Sequence, residues 1–230
     1  MKKLKIVCLA VFAAVMLFSC NDETGDYVEQ LYTNNQKEAA IKACLKVSAD
    51  TASAHLFVPD GFYAYNDSIY RIDFEPLQNT LFNVLENNEY GFLVDSLVLY
   101  VNRMAESCGS QVTPSLKAAV DSMKILDYDA LIHGEDDAFT RYYEMYEYKY
   151  LKSAIQTAVS VRMDLYNING TWAMMMNKYI QFTNTPLNFD IQSYIAETML
   201  SDILEEMSIE EYNIRTDVSH RTEDMDALGD

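Results

Sequence analysis

Between Leu131 and Tyr150 the chain reads LIHGEDDAFTRYYEMYEYKY, which sets one histidine, three consecutive acids, an arginine and five tyrosines within twenty positions. His133, Glu135, Asp136 and Asp137 offer nitrogen and oxygen ligands to a metal ion, with Asp127 and Asp129 one short helix away. A hard cation such as Ca²⁺ needs about six to eight oxygens converging on one point, and the run lacks the alternating acids plus glycine of an EF-hand loop. Neither HExxH nor paired cysteine spacing for zinc occurs. Glu135, Asp136 and Asp137 are therefore weak metal candidates, and no metal or cofactor is expected. The same residues read more simply as a helix start: acids meet the positive end of a helix dipole, and Asp137 stands four residues before Arg141, the spacing of a helical ion pair.

The tyrosines pose a second question. Phe139, Tyr142, Tyr143, Tyr146, Tyr150, Ala154 and Ile155 follow a helical stripe, whereas Tyr148 falls outside it. Such a stripe is expected to be core, with hydroxyls reaching the rim, although aromatic faces also form binding platforms. WAMMM, Trp172 to Met176, raises the same choice, because methionine both fills irregular gaps and lines adaptable surfaces. Tyr142, Tyr146, Tyr148, Trp172 and Met175 are the candidates for ligand or partner contact. Catalytic sets are thin. His55, His133 and His220 are the only histidines, G-x-S-x-G and P-loop patterns are absent, and the adjacent pairs Glu205-Glu206 and Glu210-Glu211 diverge on a helix and are expected to face water. Ser107-Cys108-Gly109-Ser110 reads as a helix end with Gly109 at the C-cap. No catalytic residue is assigned.

The elements that must position these residues are helices. Apolar spacing predicts one from Gln36 to Phe57, then a long irregular stretch over residues 58–75 that contains Pro59 and the Asp60-Gly61 pair and is followed by Pro76. Helices follow from Pro76 to about Asn87, from Phe92 to Ser107, and from a Thr113 cap with Pro114 in the first turn through Lys124. A two-turn helix in DYDALIHG ends at Gly134, expected in the left-handed conformation, and a long helix runs from about Glu135 to Tyr166. After Gly170 comes TWAMMMNKYIQF. Asp190 caps the last helix, with Phe189 and Tyr194 placed for a hydrophobic staple and Ile191, Ile195, Met199, Ile203, Leu204 and Met207 on one face. The expectation is an all-α single domain of about seven to eight helices over residues 36–216, followed by a polar C-terminal tail, 217–230.

The N-terminus carries three lysines, an apolar run from Ile6 to Phe18, then Ser19 and Cys20. That run is too short to span a bilayer and has the flanks of a secretory signal, residues 1–19. LFSC resembles the lipobox of bacterial lipoproteins, whose cysteine is acylated, for example with palmitate; Cys20 is the expected lipidation site, followed by a polar acidic tether over residues 20–35. CNDETGD resembles the acidic export signals of some surface lipoproteins. Localisation to the cell envelope, lipid-anchored at the outer membrane, is the expectation.

Without Lys2, Lys3 and Lys5 the 17 bases fall to 14 against 35 acids, a formal charge of −21. Such a surface repels phosphate backbones, so nucleic-acid binding is disfavoured and membrane contact should come from the lipid. Cys44 and Cys108 remain after processing; a disulfide and two buried thiols are both open.

Five segments in order, PDGFYAYNDSIYRI, LVDSLVLYVNRMAES, LIHGEDDAFTRYY, FDIQSYIAETMLSDILEEM and IRTDVSHRTEDM, resemble a family of bacterial exported proteins called domain of unknown function 4197. The resemblance covers the chain from about Asn35 and implies an all-helical exported domain with no assigned activity. Members usually carry glycine where His133 stands, which gives no reason to rest chemistry on that histidine. Three functions are compatible with these readings: a non-enzymatic interaction or assembly module with a protein partner in the envelope, a carrier of an apolar or lipid-like ligand, and a hydrolase using acids near Asp136.

Overall fold

The structure, a computed structural model, describes residues 32–63 and 70–229. The expected signal peptide, Cys20 and most of the tether lie outside the described residues. The architecture is all-helical: α1 (Asn34–Leu56), α2 (Glu75–Leu77), a π-turn (Gln78–Phe82), α3 (Asn83–Glu86), α4 (Gly91–Glu106), α5 (Gly109–Ser122), α6 (Tyr128–Ile132), α7 (Ala138–Met163), α8 (Ile168–Thr183) and α9 (Ile191–Thr216), then 3₁₀ turns at Val218–His220 and Glu223–Leu228. Among the described residues there is no strand.

Helix α1 is the axis of the bundle, packing along α9, α5 and the final 3₁₀ turn, while α7 lies against both α9 and α5. Helices α4 and α8 pair at the side, with α3 beneath α8. One apolar core runs through all of them, and the α9 face read from the sequence, Ile191 to Met207, is buried in it as expected. Helix ends are chemically set. Thr33 forms a capping box with Gln36 at the start of α1. Asp190 Oδ1 accepts the Ser193 N–H at 3.0 Å, and the Phe189 and Tyr194 rings meet at 5.3 Å as a staple.

The irregular stretch is held by a side chain rather than by a sheet. Asn102 is fully buried on α4; its Nδ2 donates to the Ile72 carbonyl at 2.9 Å and its Oδ1 accepts the Ile72 N–H at 2.9 Å. A backbone strand pair is thereby imitated by one amide.

Several expectations are corrected. Helix α5 starts at Gly109, so Pro114 sits inside it, and Thr113 donates to Ser53 Oγ of α1 at 2.8 Å instead of capping. The Thr-Pro pair has the composition of a helix start, but the turn before it is extended backward by packing on α1. Gly109 does not serve as a left-handed cap: a Cβ there would come within 2.6 Å of Phe57 Cβ, so the position needs a residue without one. Helix α7 ends at Met163, short of Tyr166, and α8 begins at Ile168, leaving Gly170 inside its first turn. The C-terminal segment is not a free polar tail. Met225 is fully buried and Ala227 nearly so, both in the turn packed on α1. Arg221 ties that segment back, donating to the carbonyls of Ile214 at 2.8 Å and Arg215 at 2.8 Å at the end of α9. Cys44 and Cys108 are both free and fully buried, which settles the disulfide question; burial pushes the Cys108 thiol up to about 11.

Candidate functional site

The junction between α6 and α7 is assembled in trans by α9. Glu211, fully buried, accepts the backbone N–H groups of Phe139 at 2.9 Å and Thr140 at 2.7 Å, and the Thr140 hydroxyl at 2.8 Å. Two of the donors that a helix N-terminus leaves unpaired are thus satisfied by a carboxylate from another helix. Arg215, one turn further along α9, donates from Nε to Glu211 at 2.9 Å, from Nη1 to the Ile132 carbonyl at 3.0 Å and from Nη2 to the Leu131 carbonyl at 3.1 Å. Its guanidinium lies 3.9 Å from the centre of the Phe139 ring. One ion pair therefore closes the end of α6 and the beginning of α7. Burial pushes the Glu211 carboxyl up, while its backbone donors, Thr140 and Arg215 oppose the rise.

This changes the expected role of the three acids. Helix α7 has no acid in its first turn; Glu135 and Asp136 precede it and are exposed, and Asp137 occupies the cap position without a side-chain cap bond. Asp137 does pair with Arg141, at 2.8 Å. Glu135, Asp136 and Asp137 are not joined by a further ligand into a cluster able to hold a metal, and no such group of three occurs among the described residues. Gly134 is not left-handed; a Cβ there would lie 2.9 Å from Ala138 Cβ and 3.0 Å from the Ala130 carbonyl oxygen, so close packing of the two helix ends is what selects glycine.

The tyrosines divide. Tyr143 is buried and donates to the Leu116 carbonyl at 2.8 Å; Tyr142 is half-buried and donates to the Lys124 carbonyl at 2.8 Å. Tyr146 and Tyr150, expected in the buried stripe, are exposed, because α5 and α9 leave this part of α7 uncovered. Between Tyr143 and Leu151 no residue of α7 is buried, and Met145, Tyr146, Tyr148 and Tyr150 are 39–67 % exposed. The Tyr146 ring lies 4.4 Å from that of Tyr142, centre to centre and tilted, so two of the candidates form one aromatic face. Tyr148 opens on the other side, into a groove of about 410 Å³ between α7 and α9. Asp137, Arg141 and Glu144 line it from α7, and Glu197, Ser201 and Glu205 from α9. Lys152 pairs with Glu197 at its rim, whereas Glu144 and Glu205 have no ion-pair partner among the described residues. The other two candidates belong to α8: Trp172 is half-buried against Phe189, and Met175 is fully buried.

A second polar cluster escaped the sequence reading. His55 Nδ1 and Glu206 Oε2 are hydrogen-bonded at 2.6 Å, and Tyr70 hydrogen-bonds to Glu206. Beside them Asp202 is 9 % exposed, its Oδ2 has no hydrogen-bond partner, and burial pushes its carboxyl up to about 8. The signal was present, since Asp202 stands three residues after Met199 on the apolar side of α9. Glu211 had a similar signal, four residues after Met207 on that face, but the helix ends it caps are about seventy residues away in sequence.

The model of a family described as protein of unknown function, DUF4197, matches residues 31–226. The chain belongs to that family. No curated protein and no solved structure matches it. The match takes in both partners of the α6–α7 junction and ends within the 3₁₀ turn that packs on α1, so it covers residues 217–226 of the C-terminal segment.

Proposed function

We propose that this DUF4197 protein is a lipid-anchored, non-enzymatic interaction module of the cell envelope, tethered through Cys20 and presenting the middle of α7 to a protein partner. The observation that carries the reading is the uncovered segment Glu144–Tyr150, where three tyrosines and a methionine face outward from a helix whose two ends are firmly packed. Tyrosine and methionine are favoured at recognition surfaces because they combine contact area with a polar or adaptable end. The acidic groove alongside, with Glu144 and Glu205 unpaired, suits a partner that brings a cationic side chain next to its apolar contact.

The polar residues that looked reactive in the sequence support a structural use. Asp137 pairs with Arg141, and Glu211, Arg215 and Asn102 hold helix ends and a loop. A carrier function gains less support, since Met175 is packed in the core and the groove, despite Leu200 and Leu204 in its wall, is lined mostly by charged and hydroxyl side chains.

A photoreactive phenylalanine analogue placed at position 146 of the full anchored chain, in intact cells, tests the proposal. One discrete crosslinked product is expected there and none from position 212, an exposed tyrosine on α9. No product at 146, or the same ladder of products from both positions, overturns it.

A further inference from the structure

Helix α8 lies on the outside of the bundle, and of its sixteen residues only Ile168, Thr171 and Met175 are buried. A peripheral helix normally fills its outer face with charge. This one does not. From Ile168 to Phe189 the sequence holds a single charged residue, Lys178, and no acid, in a chain with 35 Asp and Glu. Met174, Ile180 and Phe182 are exposed, with the uncharged Asn177 and Gln181 between them. At the C-terminal end of α8, Tyr90 joins Phe182 at 5.8 Å to Phe92 at 6.1 Å, and Phe92 is 60 % exposed. The Lys178 ammonium sits 4.5 Å from the centre of the Tyr90 ring. The acids nearest this face lie outside α8: Glu86, beside Gly91, with Glu89 and Asp95 flanking Phe92 in sequence, and Asp164, which accepts from the Asn169 amide at the other end of α8 at 2.6 Å.

We propose that the outer face of α8 rests on the bilayer, with Met174, Ile180, Phe182 and Phe92 at the boundary of headgroups and acyl chains. The inference rests on the reading of Cys20 as a lipid anchor. Eleven residues separate Cys20 from Tyr32, where the described domain begins. Extended, they reach about 40 Å, roughly the diameter of a domain this size, so the anchor keeps the domain within about one diameter of the membrane, where any face with affinity for it can settle. Charge decides which face. Most of the surface is acidic and is repelled by anionic headgroups, whereas α8 offers no acid and one lysine. Its chemistry also fits: Phe, Ile and Met for the acyl boundary, Tyr and Trp beside them, and uncharged amides at headgroup level. Such a contact is weak by itself, but a tether raises the local concentration into the millimolar range, where weak contacts are populated.

The test uses the full lipidated chain in vesicles of phosphatidylethanolamine and phosphatidylglycerol. A nitroxide is attached through Met174→Cys, and in a control chain through Tyr212→Cys; Cys44 and Cys108 are buried and escape labelling. The ratio of collision with lipid-soluble oxygen to collision with a water-soluble nickel chelate should be several-fold higher at 174 than at 212. Adding Ile180→Glu and Phe182→Glu should return position 174 to the aqueous value with helix content unchanged. If the chain does not float with the vesicles, the anchor reading fails and takes the inference with it. If it floats and position 174 is as aqueous as 212, the bilayer contact alone is overturned; shielding seen only in native membranes would then assign this face to a protein.

Discussion

Replacing Glu211 by alanine should loosen one specific place before it loosens the protein. The carboxylate accepts four hydrogen bonds, from Phe139 N, Thr140 N, Thr140 Oγ1 and Arg215 Nε. Its loss leaves the guanidinium of Arg215, only 12 % exposed at its side chain, without its counter-charge, and orphans two amides at the start of α7. Breaking a buried pair by removing one partner typically costs about 3–5 kcal/mol, and a helix cap alone about 1 kcal/mol. A domain of ordinary stability has about 5–15 kcal/mol in total, so Glu211→Ala should remain folded but move the urea midpoint far down. Glu211→Gln, which keeps the volume and one acceptor oxygen, should cost less. Two readouts separate this account from a general loss of packing. Hydrogen exchange should accelerate first at residues 131–143, the two helix ends that the pair joins, and only later in α1. A cycle with Arg215→Met should show a coupling of about 1.5 kcal/mol or more, since the two side chains act as one unit. A cost under about 1 kcal/mol for Glu211→Ala, or exchange that rises evenly along the chain, would refute the reasoning.

Asn102→Leu should cost about 2–4 kcal/mol in chemical unfolding, because the Ile72 N–H and carbonyl would be left buried without their amide partner. Asp202 gives a pH dependence. Its carboxyl is pushed up to about 8, against about 3.9 in an unfolded chain, so within that window the folded state holds a proton that the unfolded state has lost; its contribution to stability falls as pH rises through the window and levels off above about 8. Asp202→Asn should therefore raise stability by about 1–3 kcal/mol near pH 8 and leave it nearly unchanged near pH 4, as read from urea midpoints at both values; an equal gain at both would contradict the assignment. Tyr146→Ser combined with Tyr150→Ser should shift unfolding by no more than about 0.5 kcal/mol, the behaviour of surface positions, and a loss of several kcal/mol would return these tyrosines to the core.

How far the sequence reaches is clear from particular residues. Features governed by neighbours in sequence were legible: the Asp190 cap, the Phe189–Tyr194 staple, the apolar face of α9 and the Asp137–Arg141 pair all follow from spacings of five residues or fewer. Features governed by what another helix covers were not. Tyr146 and Tyr150 have the periodicity of a core stripe, yet nothing packs over them, whereas Tyr143, on the same stripe, is fully buried. Thr113-Pro114 has the composition of a helix start, but the contact of Ser53 with Thr113 lies inside α5. The acids of GEDD have the composition of partners for α7's first turn, but the partner is Glu211 on α9, one of an adjacent pair whose spacing reads as water-facing although both Glu210 and Glu211 are buried. The candidate site was half legible: Tyr142, Tyr146 and Tyr148 were named from the sequence, while the α9 wall of the groove, Glu197, Ser201 and Glu205, required the fold.

The most direct measurement of the proposed role is oxidative footprinting of the native chain, in the intact envelope and after purification. Met145, Tyr146 and Tyr150 are exposed in the isolated domain and should be modified readily there, with Tyr212 as an exposed reference on α9. If α7 meets a partner, these three residues should be protected several-fold in the envelope while Tyr212 is unchanged. Equal modification of all four in both settings would contradict the account.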